Sequence, residues 1–154
     1  MGKNEAVSEL LKGGAAASLV DPLATLPGYL LRRAANAMMA ELATRLAALD
    51  LRISEATVLL LLNARTDLTS ADIGKMLDIQ RANMVPLLAR LEGAGLIRRE
   101  PLDRKSLAIL LTDEGRTCRA RVDTITRQFE NDLLARIPPD HRPHLVPALQ
   151  ALLS

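Results

Sequence analysis

Aromatic side chains are nearly absent: the chain has Tyr29, Phe129 and no tryptophan among its 154 residues. That excludes a stacking platform for unpaired bases, which needs successive exposed rings. Any core must come from Leu, Ala, Ile, Val and Met, and 49% hydrophobic content supplies enough of them to make global disorder untenable. Cysteine is scarce too. Cys118 stands alone, so no intrachain disulfide forms and a reducing, cytoplasmic setting is expected. A membrane helix needs roughly 18 or more apolar residues in a row. The most apolar stretch, Leu26 to Leu51, is interrupted by Arg32, Arg33, Asn36, Glu41 and Arg45, so no membrane partner is expected. The segment GGAAASLV is short and lacks a cleavage context, and the opening MGKNEA lacks the Ser or Thr of a myristoylation site.

Catalytic patterns are missing as well. There is no Ser/His/Asp set, no phosphate-binding glycine loop and no supported pair of acids. A small enzyme on a helical scaffold therefore has no residues behind it. Asp140, His141 and His144 follow a Pro-Pro break without a Cys or a further His, which reads as surface and predicts neither metal nor cofactor.

Charge of one sign is not in excess overall: 20 basic residues face 18 acidic ones, a net +2. The distribution is uneven. Between Ile79 and Arg121 lie nine basic residues (81, 90, 98, 99, 104, 105, 116, 119 and 121) and five acidic ones (92, 100, 103, 113 and 114). This basic lean suits a surface that faces a polyanion.

What is present is helical periodicity. Residues 1–22 read as a flexible N-terminal segment. A long helix is predicted over 26–49, with Leu30, Leu31, Ala34, Ala35, Met38, Met39, Leu42, Leu46 and Leu49 at helical spacing. Ser54 is expected to cap a second, central helix, with Glu55 in its first turn. Thr69 and Asp72 form a capping-box pair for a third. Asp78-Ile79 makes a tight turn, and a fourth helix begins near Gln80–Arg81 and ends at Gly95. Pro86 lies in its path, which predicts a late start or a kink. Residues 96–100 and 106–111 read as two strands joined by a turn containing Pro101 and Asp103. Thr112 caps the next helix, whose Cys118, Val122, Ile125, Phe129, Leu133 and Ile137 form one apolar stripe. A last helix spans about 140–153.

Short helix, tight turn, helix and two-stranded hairpin make up the order of a winged helix-turn-helix. A helix fits the major groove with its N-terminal residues near base edges and phosphates. Gln80 and Asn83 suit adenine edges, and Arg81 suits guanine or phosphate; alternatively they are solvated polar residues at a helix start. With Ser70, Ala82, Arg98, Asp103, Arg104 and Lys105 they form the candidate DNA-contacting set. The hairpin adds a basic contact able to follow phosphates or enter the minor groove.

From about Leu51 to Gly115 the chain resembles the multiple-antibiotic-resistance regulator (MarR) family. The carrying residues are LTSADIGKMLDIQRANMVPLLARLEGAGLIRR and DRKSLAILLTDEGR. The resemblance implies a mostly α fold with a small β-hairpin. A winged helix-turn-helix DNA-binding lobe (51–112) would sit with helical dimerisation arms (23–50 and 113–154). It implies a homodimeric transcriptional repressor acting on pseudopalindromic double-stranded DNA. The family's wing reads Asp-Arg-Arg; here Lys105 replaces the second Arg, leaving open whether Arg104 or Lys105 enters the minor groove.

Many members respond to small anionic, often phenolic, effectors, for which Tyr29, Arg32, Arg33 and Asn36 are the candidates here. Solvated or dimer-paired arginines are the competing reading. Cys118 belongs to the apolar stripe, so a packed thiol competes with a redox-responsive regulator. A winged helix used as a protein–protein module is the remaining rival.

Overall fold

The computed structural model describes residues 21–63 and 65–153. The flexible segment expected over 1–22 thus falls, apart from Asp21 and Pro22, outside the described residues. The chain divides into two compact units at Asn36–Ala37. In the first, the Asp21 carboxylate accepts the Leu23 N–H at 3.0 Å. Helix α1 (Pro27–Leu46) then starts on a proline whose φ is preset and whose missing N–H costs nothing at a first helical position.

The second unit holds the core. Helix α1 gives way to a 3₁₀ turn at Ala47–Leu49, three residues before the predicted helix end, and Asp50 closes it in the left-handed region (φ 52°). Helix α2 (Ile53–Leu61) is central: Ala56, Val58 and Leu59 are buried. Its cap is Arg52, not Ser54. The Glu55 carboxylate explains the shift, because it reaches back to accept the Arg52 N–H at 2.8 Å and so satisfies a donor at the helix start. Glu55 is also the buried charged residue of this core, held by the Arg90 guanidinium at 2.9 Å.

Helix α3 (Ser70–Met76) opens on the expected capping box: Thr69 Oγ1 accepts the Asp72 N–H at 3.2 Å, and Asp72 accepts the Thr69 N–H at 2.9 Å. Asp78 turns the chain at φ 51°, a conformation that Asp tolerates better than most residues. The Ile79 N–H donates to the Gly74 carbonyl at 2.8 Å. Helix α4 (Arg81–Gly93) follows, burying Met84, Leu88 and Leu91. Pro86 neither delays it nor ends it; the helix runs through. Residues 82 and 86 are both exposed, so the Ala82 carbonyl, which lacks a Pro86 N–H to accept, faces water and the penalty is reduced.

The helix ends in a Schellman motif. Gly95 has φ +72°, its N–H donates to Glu92, and the Leu96 N–H donates to Leu91. Strands β1 (Ile97–Pro101) and β2 (Leu107–Leu111) pair antiparallel, Ile97 opposite Leu111 and Pro101 opposite Leu107, within a residue or so of the predicted limits. A bridge from Thr69 to Ala108 ties β2 to the start of α3. Helix α5 (Asp113–Ala135) is capped by Thr112 Oγ1, which accepts the Gly115 N–H at 2.9 Å. It buries Val122 and Phe129 of the predicted stripe and half-buries Cys118, Ile125 and Leu133. A 3₁₀ turn at Pro139–His141 leads to α6 (Arg142–Ala151).

Gly115 meets the strand entrance with no room for a side chain: a Cβ there would lie 1.9 Å from the Leu96 carbonyl oxygen. Gly115→Ala must push backbone against backbone, so its cost should reach the upper end of overpacking, about 3 kcal/mol or more. Urea titration checks this, and a loss below about 1 kcal/mol would contradict the packing.

At the far end of α5, Arg136 donates to Glu41 (2.7 Å) and Arg45 bridges Glu41 and Asp132 (2.7 Å to the latter), with the Arg45 guanidinium 5.5 Å from the Phe129 ring centre. The Arg136 and Arg45 hydrogen bonds hold the Glu41 carboxyl below its ordinary value of 4.5. A depressed carboxyl contributes stability above its unfolded value and loses it as pH falls through the folded value. Thermal stability should therefore drop as pH is lowered from 4.5, and Glu41→Gln should flatten that acid limb; an unchanged limb would contradict the clamp.

Candidate nucleic-acid interface

The start of α4 is exposed and chemically uncommitted. Gln80 sits at the cap in extended conformation without using its side chain to cap the helix. The first intrahelical acceptor is the Gln80 carbonyl, which takes the Asn83 and Met84 N–H groups. The N–H groups of Arg81 and Ala82 are thus left for an outside acceptor, and the positive end of the helix dipole points the same way.

Beside this helix start lies an open cleft of about 740 Å³. The helix-turn-helix supplies Ser70, Lys75, Gln80, Arg81 and Val85 to it, and the hairpin supplies Arg99, Lys105 and Ser106. Four cations and one acid, Asp78, line it. Among the described residues, Lys75, Arg81 and Lys105 make no ion pair, whereas Arg99 is held by Glu92 at 3.2 Å. Unpaired cations around a cleft are what a phosphate backbone needs, since no intramolecular partner must be displaced.

A second, smaller cleft flanks the other side of α4 and holds Arg52, Ser54, Asn83 and Pro86. Helix α4 is therefore a ridge between two grooves. Of the residues that the sequence points to, Ser70, Gln80, Arg81 and Lys105 gather in the first cleft, Asn83 lies in the second, and Ala82 is exposed on the helix. Arg98 goes elsewhere. Alternation along β1 puts it on the face opposite Arg99, where it pairs with Glu100 at 2.7 Å and reaches the Leu111 carbonyl at 3.4 Å. Sequence reasoning misses Lys75 and Arg99. Lys75 is recoverable from helical spacing, being one turn after Ala71, and Arg99 from strand alternation.

Asp103 shapes the wing tip. Its Oδ1 accepts the Lys105 N–H at 2.7 Å and the Ser106 N–H at 2.9 Å. Bonds from Ser106 and from the Lys105 N–H hold its carboxyl below the usual carboxylate value. It orients the backbone that carries Lys105 rather than a basic side chain. Arg104, at the same tip, is exposed and lies outside the cleft.

The effector candidates lie on α1. Tyr29 and Arg33 both donate to Asp21 Oδ2 at 2.9 Å, and Arg32 and Arg33 approach the Tyr29 ring at 5.7 and 5.6 Å. Asp21 is the carboxylate that periodicity could not reveal, being outside the helix. Asn36 is exposed. Cys118 is half-buried and burial pushes its thiol up, only partly offset by Arg121, which favours the packed thiol over a reactive one. His141 and His144 are exposed, and no cluster of three metal-ligating side chains occurs among the described residues. No described helix is long and apolar enough to cross a membrane.

Two short helices in a tight turn, a paired hairpin and the cation-lined cleft between them define a winged helix-turn-helix DNA-binding protein. Residues 49–106 match the MarR family model. The HTH-type transcriptional repressor Rv2887 of Mycobacterium tuberculosis is 30% identical over 112 residues, covering 71% of this chain and 81% of that protein. The chain belongs to the MarR family of transcriptional regulators.

Solved structures agree. The repressor CouR bound to a 23-mer DNA duplex superposes with a TM-score of 0.78 at 33% identity, covering 86% of this chain and 95% of that one. CouR bound to p-coumaroyl-CoA gives 0.77 at 32%, covering 85% and 94%. Rv2887 with p-aminosalicylic acid gives 0.66 at 28%, covering 83% and 98%.

The cleft makes a ranked expectation. Lys105→Ala should weaken duplex binding and lower the salt slope by about one unit. Arg98→Ala, whose side chain is already paired, should do much less. Fluorescence anisotropy across a salt series checks both, and an equal loss from the two variants would contradict the ranking.

Proposed function

We propose that the protein is a homodimeric repressor whose α4 enters the major groove of a pseudopalindromic operator and which a small anionic effector releases. The observation that carries this reading is the set of unpaired cations, Lys75, Arg81 and Lys105, around a cleft beside an exposed helix start. Lys105, inside the cleft, tracks phosphates, and Arg104, outside it, enters the minor groove, where a narrow width favours arginine. Asn83, beside Arg52 and Ser54, serves the opposite strand of the groove.

Dimerisation is supported by exposed apolar side chains at both helical ends of the chain. Leu30, Leu31 and Met39 on α1 are about half exposed, as are Val146 and Leu149 on α6, and Leu153 is 89% exposed. A monomer would leave these in water at a cost of roughly 25 cal/mol per Å². Repression and effector release are supported by the relatives: CouR and Rv2887 are named repressors, crystallised with a thioester of an aromatic acid and with an aromatic acid. In this chain Tyr29, Arg32, Arg33 and Asn36 are the effector contacts. Arg33 already holds Asp21, so an anion there competes with that carboxylate. Release further requires that the effector bind the two states of the dimer unequally.

Binding to the chain's own upstream promoter region should fall steeply with salt, by about 0.9 log unit per log unit of salt for each phosphate neutralised. Light scattering should give twice the chain mass. Aromatic acids or their CoA thioesters should raise the melting temperature and reduce DNA binding together. Salt-insensitive or absent duplex binding would overturn the regulator reading in favour of a protein-binding winged helix.

A further inference from the structure

The outward face of α4 is apolar. Burial of Met84, Leu88 and Leu91 on one side places Ala82, Val85, Pro86 and Ala89 on the other, and all four are exposed, Val85 at 61%. Spacings of three and four residues put them on one ridge. Val85 borders the first cleft and Pro86 the second, so the ridge crest lies between the two polar grooves. A surface helix in water ordinarily carries polar side chains on this face. Here the polar side chains without an ion-pair partner lie at the helix start, at Gln80, Arg81 and Asn83, whereas Arg90 and Glu92 near its end are engaged by Glu55 and Arg99.

The small side chains let the helix approach the groove floor closely, and they offer it only methyl and methylene groups. In the major groove the base feature that an apolar side chain recognises is the C5 methyl of thymine. Gln80 and Asn83 carry carboxamides, whose matching base is adenine, the partner of thymine. The cations flanking the ridge commit this face to DNA rather than to an apolar protein surface.

Resting on the DNA-binding reading above, we propose that the Ala82–Val85–Pro86–Ala89 ridge is a specificity element that reads thymine methyl groups, so that each operator half-site is A·T-rich where α4 lies.

The test uses the full chain and duplexes with a randomised core. A pool enriched by binding is re-amplified with either dTTP or dUTP, which differ only in the C5 methyl. The uracil pool should bind more weakly, by about fourfold for each thymine methyl that the ridge covers, the equivalent of ~0.8 kcal/mol per buried CH₂ group. Val85→Ser, at an exposed position where the fold does not depend on the side chain, should narrow the thymine-to-uracil difference, read as the ratio of the two affinities so that a uniform loss of binding to both pools does not enter. Equal binding of thymine and uracil pools by the native chain would overturn the proposal and leave the DNA-binding reading standing. A difference that Val85→Ser does not change would overturn the assignment to this ridge. Failure to retain any duplex at low salt would overturn both readings.

Discussion

The Leu96 carbonyl is the point on which the DNA-facing lobe depends. It accepts the Thr112 N–H at 3.1 Å and lies against the Cα of Gly115 with no space for a Cβ. The Leu96 N–H meanwhile closes α4 on Leu91, and the Thr112 hydroxyl donates to the Gly95 carbonyl at 2.6 Å. One residue, through the peptide units on either side of it, thus joins the end of α4, both ends of the wing and the start of α5. Because pairing register in a hairpin is set where the strands are fixed, Ile97 opposite Leu111 determines where the wing tip falls relative to the start of α4. The cleft between Arg81 and Lys105 inherits its width from this junction.

A second tie holds α4 from the other side. Arg90 reaches the buried Glu55 carboxylate at 2.9 Å and the Asp50 carbonyl at 3.0 Å. Glu55 also holds the Arg52 N–H, so one carboxylate serves the cap of α2 and the placement of α4. A pair with one buried carboxylate and one exposed guanidinium adds little net stability, because desolvating the carboxylate offsets much of the attraction. Its effect here is geometric: a guanidinium fork meets a carboxylate in few orientations, which limits rotation of α4 about its axis. Rotation by one residue would carry Val85 and Pro86 off the crest between the two clefts.

Legibility in the sequence follows the range of the interactions. Caps and turns are local, and the Thr69–Asp72 box, the Thr112 cap and the Gly95 stop are all readable because their partners lie within a few residues. The α2 cap falls at Arg52 rather than Ser54 because Glu55, three residues on, takes the Arg52 N–H; the part that no local pattern encodes is Arg90, thirty-five positions on, which also holds Glu55. The same limit applies to the candidate site. Gln80 and Arg81 can be picked out from the helix start. That Arg98 is spent on Glu100 while Lys75 remains unpaired depends on side-chain contacts that spacing alone does not determine. Pro86 is legible as an anomaly but not as a surface feature, since its meaning depends on which face of α4 is buried.

The division between committed and uncommitted cations also explains why a net charge of +2 is a poor guide to this protein. Arg33, Arg45, Arg65, Arg90, Arg98, Arg99, Arg116, Arg127 and Arg136 each have a carboxylate within the chain. Exposed pairs of this type contribute little to stability. They neutralise part of the surface, and among the described residues Lys75, Arg81, Arg104 and Lys105 bring cations without an ion pair together at the helix-turn-helix and the wing. A diffusely basic protein binds any duplex with similar strength, because the phosphate term carries no sequence information. Discrimination must therefore come from what touches the bases. On the proposed reading, the groups that do so are the Gln80 and Asn83 carboxamides, the Arg81 and Arg104 guanidiniums and the apolar ridge of α4.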